Sequence, residues 1–156
     1  MIYIGSDHGG FRLKEKIKEY LSKKKIAFVD LGNEILDPKD DYQTYAFRVA
    51  EAVAKEETRA KKWERRSKGI LLCRSSAGVV IAANKVKGIR AAAAVDVKAA
   101  KHARQHSDAN IIAIAGDWTT HARALNIVSA FLNTDYGKEE RHERRIMGIV
   151  RYEKQH

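Results

Sequence analysis

The fold of this chain is decided by residues 69–85, GILLCRSSAGVVIAANK. The apolar run 69–73 predicts a buried strand, the small residues of 74–78 predict a tight turn, and 79–85 predict a helix. This order places Cys73, the only cysteine of the chain, at the carboxyl end of a strand. Open α/β sheets bind ligands at that edge, so Cys73 is a candidate functional thiol. The alternative is a small buried apolar residue with no chemical role.

Apolar strand-like runs alternate with helix-period segments on both sides of this stretch. The predicted strands are 2–4, 26–31, 69–73, 89–95 and 110–115. The predicted helices are 11–24, 79–85, 119–132 and 139–150, together with one that begins near Thr44 and one that is capped by Asp96. Such alternation is typical of a parallel sheet covered by helices. We expect one doubly wound, Rossmann-like α/β domain over residues 1–150, with a five-stranded parallel sheet, helices on both faces and a C-terminal helix, followed by a tail at 151–156.

Length and composition restrict the class of protein. The 156 residues suit one domain, and an apolar content of 44% is enough for a buried core. One cysteine excludes an intrachain disulfide, and the N-terminus lacks the basic and long apolar segments of a secretion signal. No apolar run approaches the roughly 18 to 20 residues of a membrane span. We therefore expect a cytoplasmic protein without membrane contacts.

The chain is strongly basic, with a formal net charge of +10. Such a charge attracts phosphorylated metabolites, nucleic acid or anionic membranes. Part of the excess of Lys and Arg over Asp and Glu lies in residues 55–68. This segment is either a solvated extension of a helix or a contact surface for nucleic acid. We find no nucleic-acid-binding motif and do not expect that class of partner.

Three polar clusters lie next to predicted strands. Residues 5–10 contain Asp7 and His8, the cysteine turn is the second cluster, and residues 106–108 come just before the fifth strand. We expect the three to gather at one sheet edge and form a shared site. The alternatives are an N-cap aspartate and ordinary solvated histidines. In the last helix Arg141 and Arg145 lie one turn apart, which suits a phosphate clamp and equally an exposed helix face.

Several other classes of site lack their motifs. The candidate residues do not suit a structural zinc site, which usually needs several cysteines or histidines at short spacing. A Walker A lysine loop is absent, and no Gly-x-Gly-x-x-Gly follows the first strand. One thiol, two histidines, an aspartate and an arginine pair instead suit proton transfer on a small phosphorylated molecule.

Six ordered blocks between residue 2 and about residue 150 resemble the ribose-5-phosphate isomerase B family, which includes the galactose-6-phosphate isomerase subunits. The blocks are Gly5-Ser6-Asp7-His8-Gly9-Gly10-Phe11 with Leu13-Lys14; Asp41-Tyr42 with Tyr45-Ala46; Gly69-Ile70-Leu71-Leu72-Cys73; Ile81-Ala82-Ala83-Asn84-Lys85 with Gly88-Ile89-Arg90-Ala91; Arg104-Gln105-His106; and Arg141-His142 with Arg145.

The resemblance implies a cofactor-independent aldose–ketose isomerase of carbohydrate metabolism that converts ribose 5-phosphate to ribulose 5-phosphate through an enediolate, with no metal. It implies that Cys73 is the base that moves the proton between C1 and C2, and that His106 opens the sugar ring. The implied substrate contacts are Asp7, His8, Tyr42, Arg74, Ser75, Ser76, Ala77, Gly78, Ser107, Arg141 and Arg145. It also implies a homodimer or tetramer in which each active site draws residues from two chains.

This chain departs from the family at the turn after the cysteine. The family sequence there is Gly-Thr-Gly-x-Gly, whose backbone N–H groups hold the enediolate, whereas this chain has Arg74-Ser75-Ser76-Ala77-Gly78. The Arg74 side chain is expected either in the anion site or in solvent. Ser107 replaces a family asparagine, and Asp117 replaces an arginine and is expected to repel a phosphate. Two alternatives stay open: a non-catalytic relative that binds a sugar phosphate or serves as a partner subunit, and an isomerase of another sugar phosphate.

Overall fold

The computed structural model describes residues 1–59 and 67–156. Much of the basic segment 55–68, including Trp63 and the four cationic residues 61, 62, 65 and 66, lies outside the described residues. Of the helices in the described ranges, none combines the length and the apolar character needed to cross a membrane.

Strands and helices alternate along the described chain in the predicted order. The elements are β1 (Ile2–Ser6), α1 (Phe11–Lys23), β2 (Phe28–Asp30), α2 (Tyr42–Arg59), β3 (Lys68–Cys73), α3 (Ala77–Ala83), β4 (Ala91–Ala93), α4 (Val97–Ser107), β5 (Ile111–Ala115), α5 (His121–Asn133) and α6 (Glu140–Gln155). The predicted succession of β-α units with a C-terminal helix is confirmed.

The five strands found in the described residues form one parallel sheet in the order β2-β1-β3-β5-β4. In the central pairs Ile4 lies opposite Ile70, and Cys73 lies opposite Ala115. From β1 the chain moves to one side of the sheet, and from β3 it moves to the other. The loops that follow these two strands therefore diverge and leave a crevice at their carboxyl ends, the usual ligand site of a doubly wound sheet.

Helices cover both faces of the sheet, as predicted. Alternate side chains of β3 enter two separate cores: Ile70 and Leu72 pack beneath α1, α4 and α5, while Leu71 and Cys73 pack beneath α2 and α3. This alternation follows from the two-residue period of a strand. The thiol of Cys73 therefore lies on the α2–α3 side, at the carboxyl edge of the sheet.

Several element boundaries differ from the predicted ones. The edge strands β2 and β4 contain three residues each, fewer than predicted, and each of them pairs with only one neighbour. The last helix, predicted to end at residue 150, continues to Gln155. Near its end the Glu153 carboxylate accepts a hydrogen bond of 3.1 Å from the Gly88 amide before β4. That long-range contact could not be read from the local pattern.

Candidate active site

The loop after β1 and the turn after β3 lie against each other at the carboxyl edge. Gly9 packs directly on Arg74, and Gly116, after β5, packs on the Gly9 carbonyl. The Tyr42 ring covers Gly78, where a Cβ atom would lie only 2.8 Å from the ring. The structure thus brings together nine of the residues singled out from the sequence: Asp7, His8, Tyr42, Cys73, Arg74, Ser75, Ser76, Ala77 and Gly78.

Cys73 lies at the end of β3 and is 5% exposed. Its Sγ accepts a hydrogen bond of 3.1 Å from the Ser76 amide. This hydrogen bond fixes the position of the sulfur at the start of the turn. Cys73 therefore has both the packing of a buried residue and a polar contact at its sulfur.

The altered turn keeps a tight geometry without its glycines. Ser76 has a φ of 66°, in the left-handed region that favours glycine. A non-glycine residue in this region costs of the order of 1 kcal/mol. Arg74 is not among the described residues with positive φ, so its position does not require a glycine. The turn therefore accommodates both substitutions, with backbone strain at Ser76 only.

Arg74 and Asp117, two departures from the family sequence, form an ion pair. The Arg74 Nε donates to Asp117 Oδ2 at 2.9 Å, and the Asp117 amide donates to the Arg74 carbonyl at 3.1 Å. The arginine side chain is 67% exposed, so it lies at the rim of the crevice. Because the guanidinium neutralises the carboxylate, Asp117 presents much less negative charge to a bound anion than an isolated aspartate would.

Asp7 is a buried carboxylate beside the thiol-bearing turn, 5% exposed. Its Oδ1 accepts a hydrogen bond of 3.1 Å from the Gly10 amide. Burial, the largest influence, raises the pKa of Asp7 above its ordinary value despite this bond. The N-cap of α1 is Gly10, so the alternative reading of Asp7 as the helix N-cap is wrong.

His8 is held by Asp40, a residue that the sequence analysis did not select. One carboxylate oxygen, Oδ1, accepts the His8 backbone N–H at 3.0 Å and lies 2.7 Å from the ring nitrogen Nδ1. The hydrogen bond to Asp40 raises the pKa of His8 above its ordinary value. The signal available in the sequence was the pair Asp40-Asp41, of which only Asp41 belongs to the recognised blocks.

The third polar cluster lies at the opposite edge of the sheet. His106 and Ser107 occupy the last turn of α4, before β5, whereas Cys73 lies at the carboxyl end of β3 beside the end of β5. The length of β5 separates the two edges by roughly 13 to 17 Å. The expectation that all three clusters share one edge is therefore wrong within a single chain, because this cluster precedes its strand while the other two follow theirs.

His106 lies between two other imidazoles that the sequence analysis did not select. Its ring centroid is 4.0 Å from that of His102 and 4.4 Å from that of His142. Burial and, after it, the charges of these two neighbours lower the pKa of His106, which favours a neutral ring able to accept a proton. The available signals were the spacing of His102 and His106, one helical turn apart, and the position of His142 within a recognised block.

The two arginines of the last helix are on the histidine side of the molecule. Arg141 is exposed and donates through Nε to Glu139 at 2.8 Å, and Arg145 is also exposed. No side chain links either of them to the cysteine turn within residues 1–59 and 67–156. These ranges also contain no group of three or more histidine, cysteine or acidic side chains arranged for a metal ion.

The sequence profile of the family described as Ribose/Galactose Isomerase matches residues 2–149. The chain belongs to this family. The probable ribose-5-phosphate isomerase B of Mycoplasma genitalium is 43% identical over 154 residues, which cover 99% of this chain and 96% of that protein. Ribose-5-phosphate isomerase B of Mycobacterium tuberculosis H37Rv is 39% identical over 155 residues, 99% of this chain and 91% of that protein.

Solved structures of the ribose/galactose isomerase family share this fold. The Mycoplasma genitalium ribose-5-phosphate isomerase B with bound ribulose-5-phosphate has a TM-score of 0.91 and 42% identity, with 99% of this chain and 97% of that one covered. The type B ribose 5-phosphate isomerase of Trypanosoma cruzi has a TM-score of 0.89 and 36% identity, with the same coverage of 99% and 97%. The Rossmann-like fold and family membership are thus confirmed.

Proposed function

We propose that this protein is an isomerase that interconverts ribose 5-phosphate and ribulose 5-phosphate. The observation that carries the proposal is the position of Cys73. Cys73 is a buried thiol whose sulfur accepts a hydrogen bond from a backbone amide. It lies at the crevice between the carboxyl ends of β1 and β3. Nearly the whole chain shares its fold with an isomerase that was solved with bound ribulose-5-phosphate. A thiol base is active only when reduced, which fits a cytoplasmic location.

In the proposed reaction the Cys73 thiolate takes the proton from C2 of open-chain ribose 5-phosphate. The C2–H electron pair forms the enediolate double bond as the C1 carbonyl oxygen becomes an enediolate oxygen, and the thiol then protonates C1. The hydroxyl proton on O2 moves to O1, which leaves a carbonyl at C2. The backbone N–H groups of residues 74–78 other than Ser76, whose N–H is bonded to the Cys73 sulfur, are the proposed donors to the enediolate oxygens. Asp7 and Tyr42 are the proposed partners of the sugar hydroxyls.

We further propose that each active site is completed by a second copy of the chain. His106, the proposed ring-opening residue, lies at the edge of the sheet opposite Cys73. A second copy can present its own His106, Ser107, Arg141 and Arg145 to the crevice, with the arginines facing the phosphate. The exposed side chains of Ile149 and Tyr152, three residues apart on α6, supply apolar area for such an interface.

Isomerisation in D₂O is the direct test of the activity. Purified protein with ribose 5-phosphate is expected to produce ribulose 5-phosphate, with deuterium at C1 of the ketose and at C2 of recovered aldose, as followed by NMR. Galactose 6-phosphate in place of ribose 5-phosphate tests the alternative substrate. If folded protein binds ribose 5-phosphate but catalyses neither isomerisation nor exchange, the non-catalytic alternative replaces this proposal.

Mixed dimers test the shared site. Chains carrying Cys73→Ala and His106→Asn are co-expressed with different affinity tags, and the mixed dimer is isolated through both tags. It contains one site with both residues intact, so we expect about half of the wild-type activity per dimer.

The matched control is a mixed dimer of a wild-type chain with a Cys73→Ala/His106→Asn chain. If the sites are shared, both of its sites lack one residue and its activity is close to zero. If each site lies within one chain, the control has half the activity and the mixed dimer of single variants has none. The two dimers therefore give opposite results under the two arrangements.

A further inference from the structure

We propose that Asp40 is a positioning residue for substrate binding. Its carboxylate accepts a hydrogen bond from the His8 Nδ1–H and so holds the imidazole with its Nε2–H directed to the substrate's phosphate. The inference rests on the proposed sugar-phosphate substrate and deepens it. It assigns a role to a side chain outside the crevice residues selected from the sequence.

The first argument is the geometry of the pair. Asp40 Oδ1 is 3.0 Å from the His8 backbone nitrogen and 2.7 Å from Nδ1, so a single oxygen fixes both the backbone and the ring. A carboxylate only accepts hydrogen bonds, so Nδ1 carries the proton. The Asp40 side chain is 4% exposed whereas the His8 side chain is 32% exposed. The buried partner thus holds an imidazole that is itself about one-third exposed.

The second argument is that Asp40 is itself held in place. Its Oδ2 accepts a hydrogen bond of 2.6 Å from the Asn33 side-chain amide. The Asn33 side-chain carbonyl accepts from the Tyr45 hydroxyl, and its backbone carbonyl accepts from the fully buried Lys14 ammonium at 2.8 Å. Both carboxylate oxygens therefore have donors, and this network fixes the position of Asp40 before any ligand arrives.

The third argument is charge. Asp40 and Asp7 face His8 and favour its protonated form, while burial and Arg74 oppose it. Arg74 opposes it weakly, since its guanidinium is paired with Asp117. The net effect raises the pKa of His8, so the imidazolium persists to higher pH than in an ordinary histidine. A phosphate monoester becomes a dianion above about pH 6, so cation and dianion coexist near neutral pH.

The sign of the pH dependence follows from these charges. Protonated His8 binds the phosphate dianion, and the contact is lost as the pH rises through the raised pKa of His8. In wild-type protein KM is therefore expected to rise as the pH increases through this raised pKa. In Asp40→Asn the same rise is expected at lower pH, because the carboxylate that favours the imidazolium is gone.

The test compares Asp40→Asn with Asp37→Asn. Asp37 belongs to the same loop and is exposed, and among the described residues its carboxylate accepts only the Lys39 amide, at 2.9 Å. Its backbone carbonyl, which accepts the Asp40 amide at 3.2 Å, is kept in Asp37→Asn, so this variant controls for loss of a loop carboxylate. For Asp40→Asn we expect KM for ribose 5-phosphate to rise about tenfold at a pH between the His8 titration midpoints of the wild-type protein and the variant, with kcat within about twofold of wild type. For Asp37→Asn we expect both constants to stay at their wild-type values.

A titration of His8 by ¹⁵N NMR keeps the inference testable without catalysis. In wild-type protein Nδ1 is expected to stay protonated throughout, and inorganic phosphate is expected to raise the titration midpoint of His8. If wild-type His8 titrates at or below its ordinary pKa, or inorganic phosphate leaves the midpoint unchanged, the inference is overturned, whether or not the protein isomerises ribose 5-phosphate. A wild-type KM profile in Asp40→Asn also overturns it.

Discussion

Replacing Cys73 with alanine is expected to lower kcat for ribose 5-phosphate isomerisation by about 10²–10⁴-fold, the usual contribution of a general base. KM is expected to change little, because the proposed phosphate and hydroxyl contacts are made by other side chains. Steady-state kinetics and deuterium incorporation in D₂O measure the two effects separately. The exchange is expected to fall together with kcat, since both require abstraction of the C2 proton.

Two controls accompany the alanine variant. Thermal unfolding shows whether the loss reflects the fold, because removal of a small buried side chain costs only a fraction of the stability. Cys73→Ser keeps an acceptor for the Ser76 amide, which lies 3.1 Å from the sulfur in wild type. A serine hydroxyl is not ionised near neutral pH, so this variant is also expected to lose turnover. If either variant kept more than about a tenth of wild-type kcat, another group would have to carry the proton.

Replacing Gly10 with alanine is expected to destabilise the protein by about 3 kcal/mol and to lower its melting temperature by roughly 6 to 12 °C. A Cβ at position 10 would lie 2.5 Å from the Leu72 Cβ and 2.6 Å from the Leu72 carbonyl carbon. Backbone atoms in the central strand cannot move away, so the first turn of α1 must shift. The shift also displaces the loop that carries Asp7 and His8, so activity is expected to fall as well.

The matched control for this substitution is Gly148→Ala. Gly148 lies within α6, and among residues 1–59 and 67–156 a Cβ there would meet only the flexible end of Arg151, at 3.9 Å. Alanine in a helix interior is favoured over glycine by about 0.5–1 kcal/mol, so within a single chain this variant is expected to be neutral or slightly stabilised. Because α6 also belongs to the proposed dimer interface, size-exclusion chromatography of both variants checks that their oligomeric state is unchanged. Denaturant unfolding of both variants measures the difference. Equal free energies of unfolding for the two variants would show that the close packing of α1 on β3 contributes little to the stability of the protein.

The sequence predicted the parts of this protein that depend on local pattern. The run around Cys73 predicted strand, turn and helix, and the structure contains β3, residues 74–76 and α3 in that order. Alternating apolar segments predicted the parallel sheet with helices on both faces, because burial of apolar residues follows strand and helix periods directly. Ordered motifs predicted the family, and with it the expectation of an isomerase.

Contacts between distant segments could not be predicted in this way. The pairing of Arg74 with Asp117 joins loops that are 43 residues apart, and the pairing of His8 with Asp40 joins loops that are 32 residues apart. In the sequence, Arg74 and Asp117 were two separate departures from the family. Only their proximity shows that the charges compensate each other.

The sequence by itself determined the fold class, the family and the residue types available for proton transfer, since these follow from apolar periodicity and from motifs along the chain. The tertiary structure decided which of those residues meet. It placed Cys73 with Asp7 and His8 at the carboxyl edge, and His106 at the opposite edge. The physical reason is the direction of the strands: in a parallel sheet, residues that follow a strand and residues that precede one lie at opposite edges.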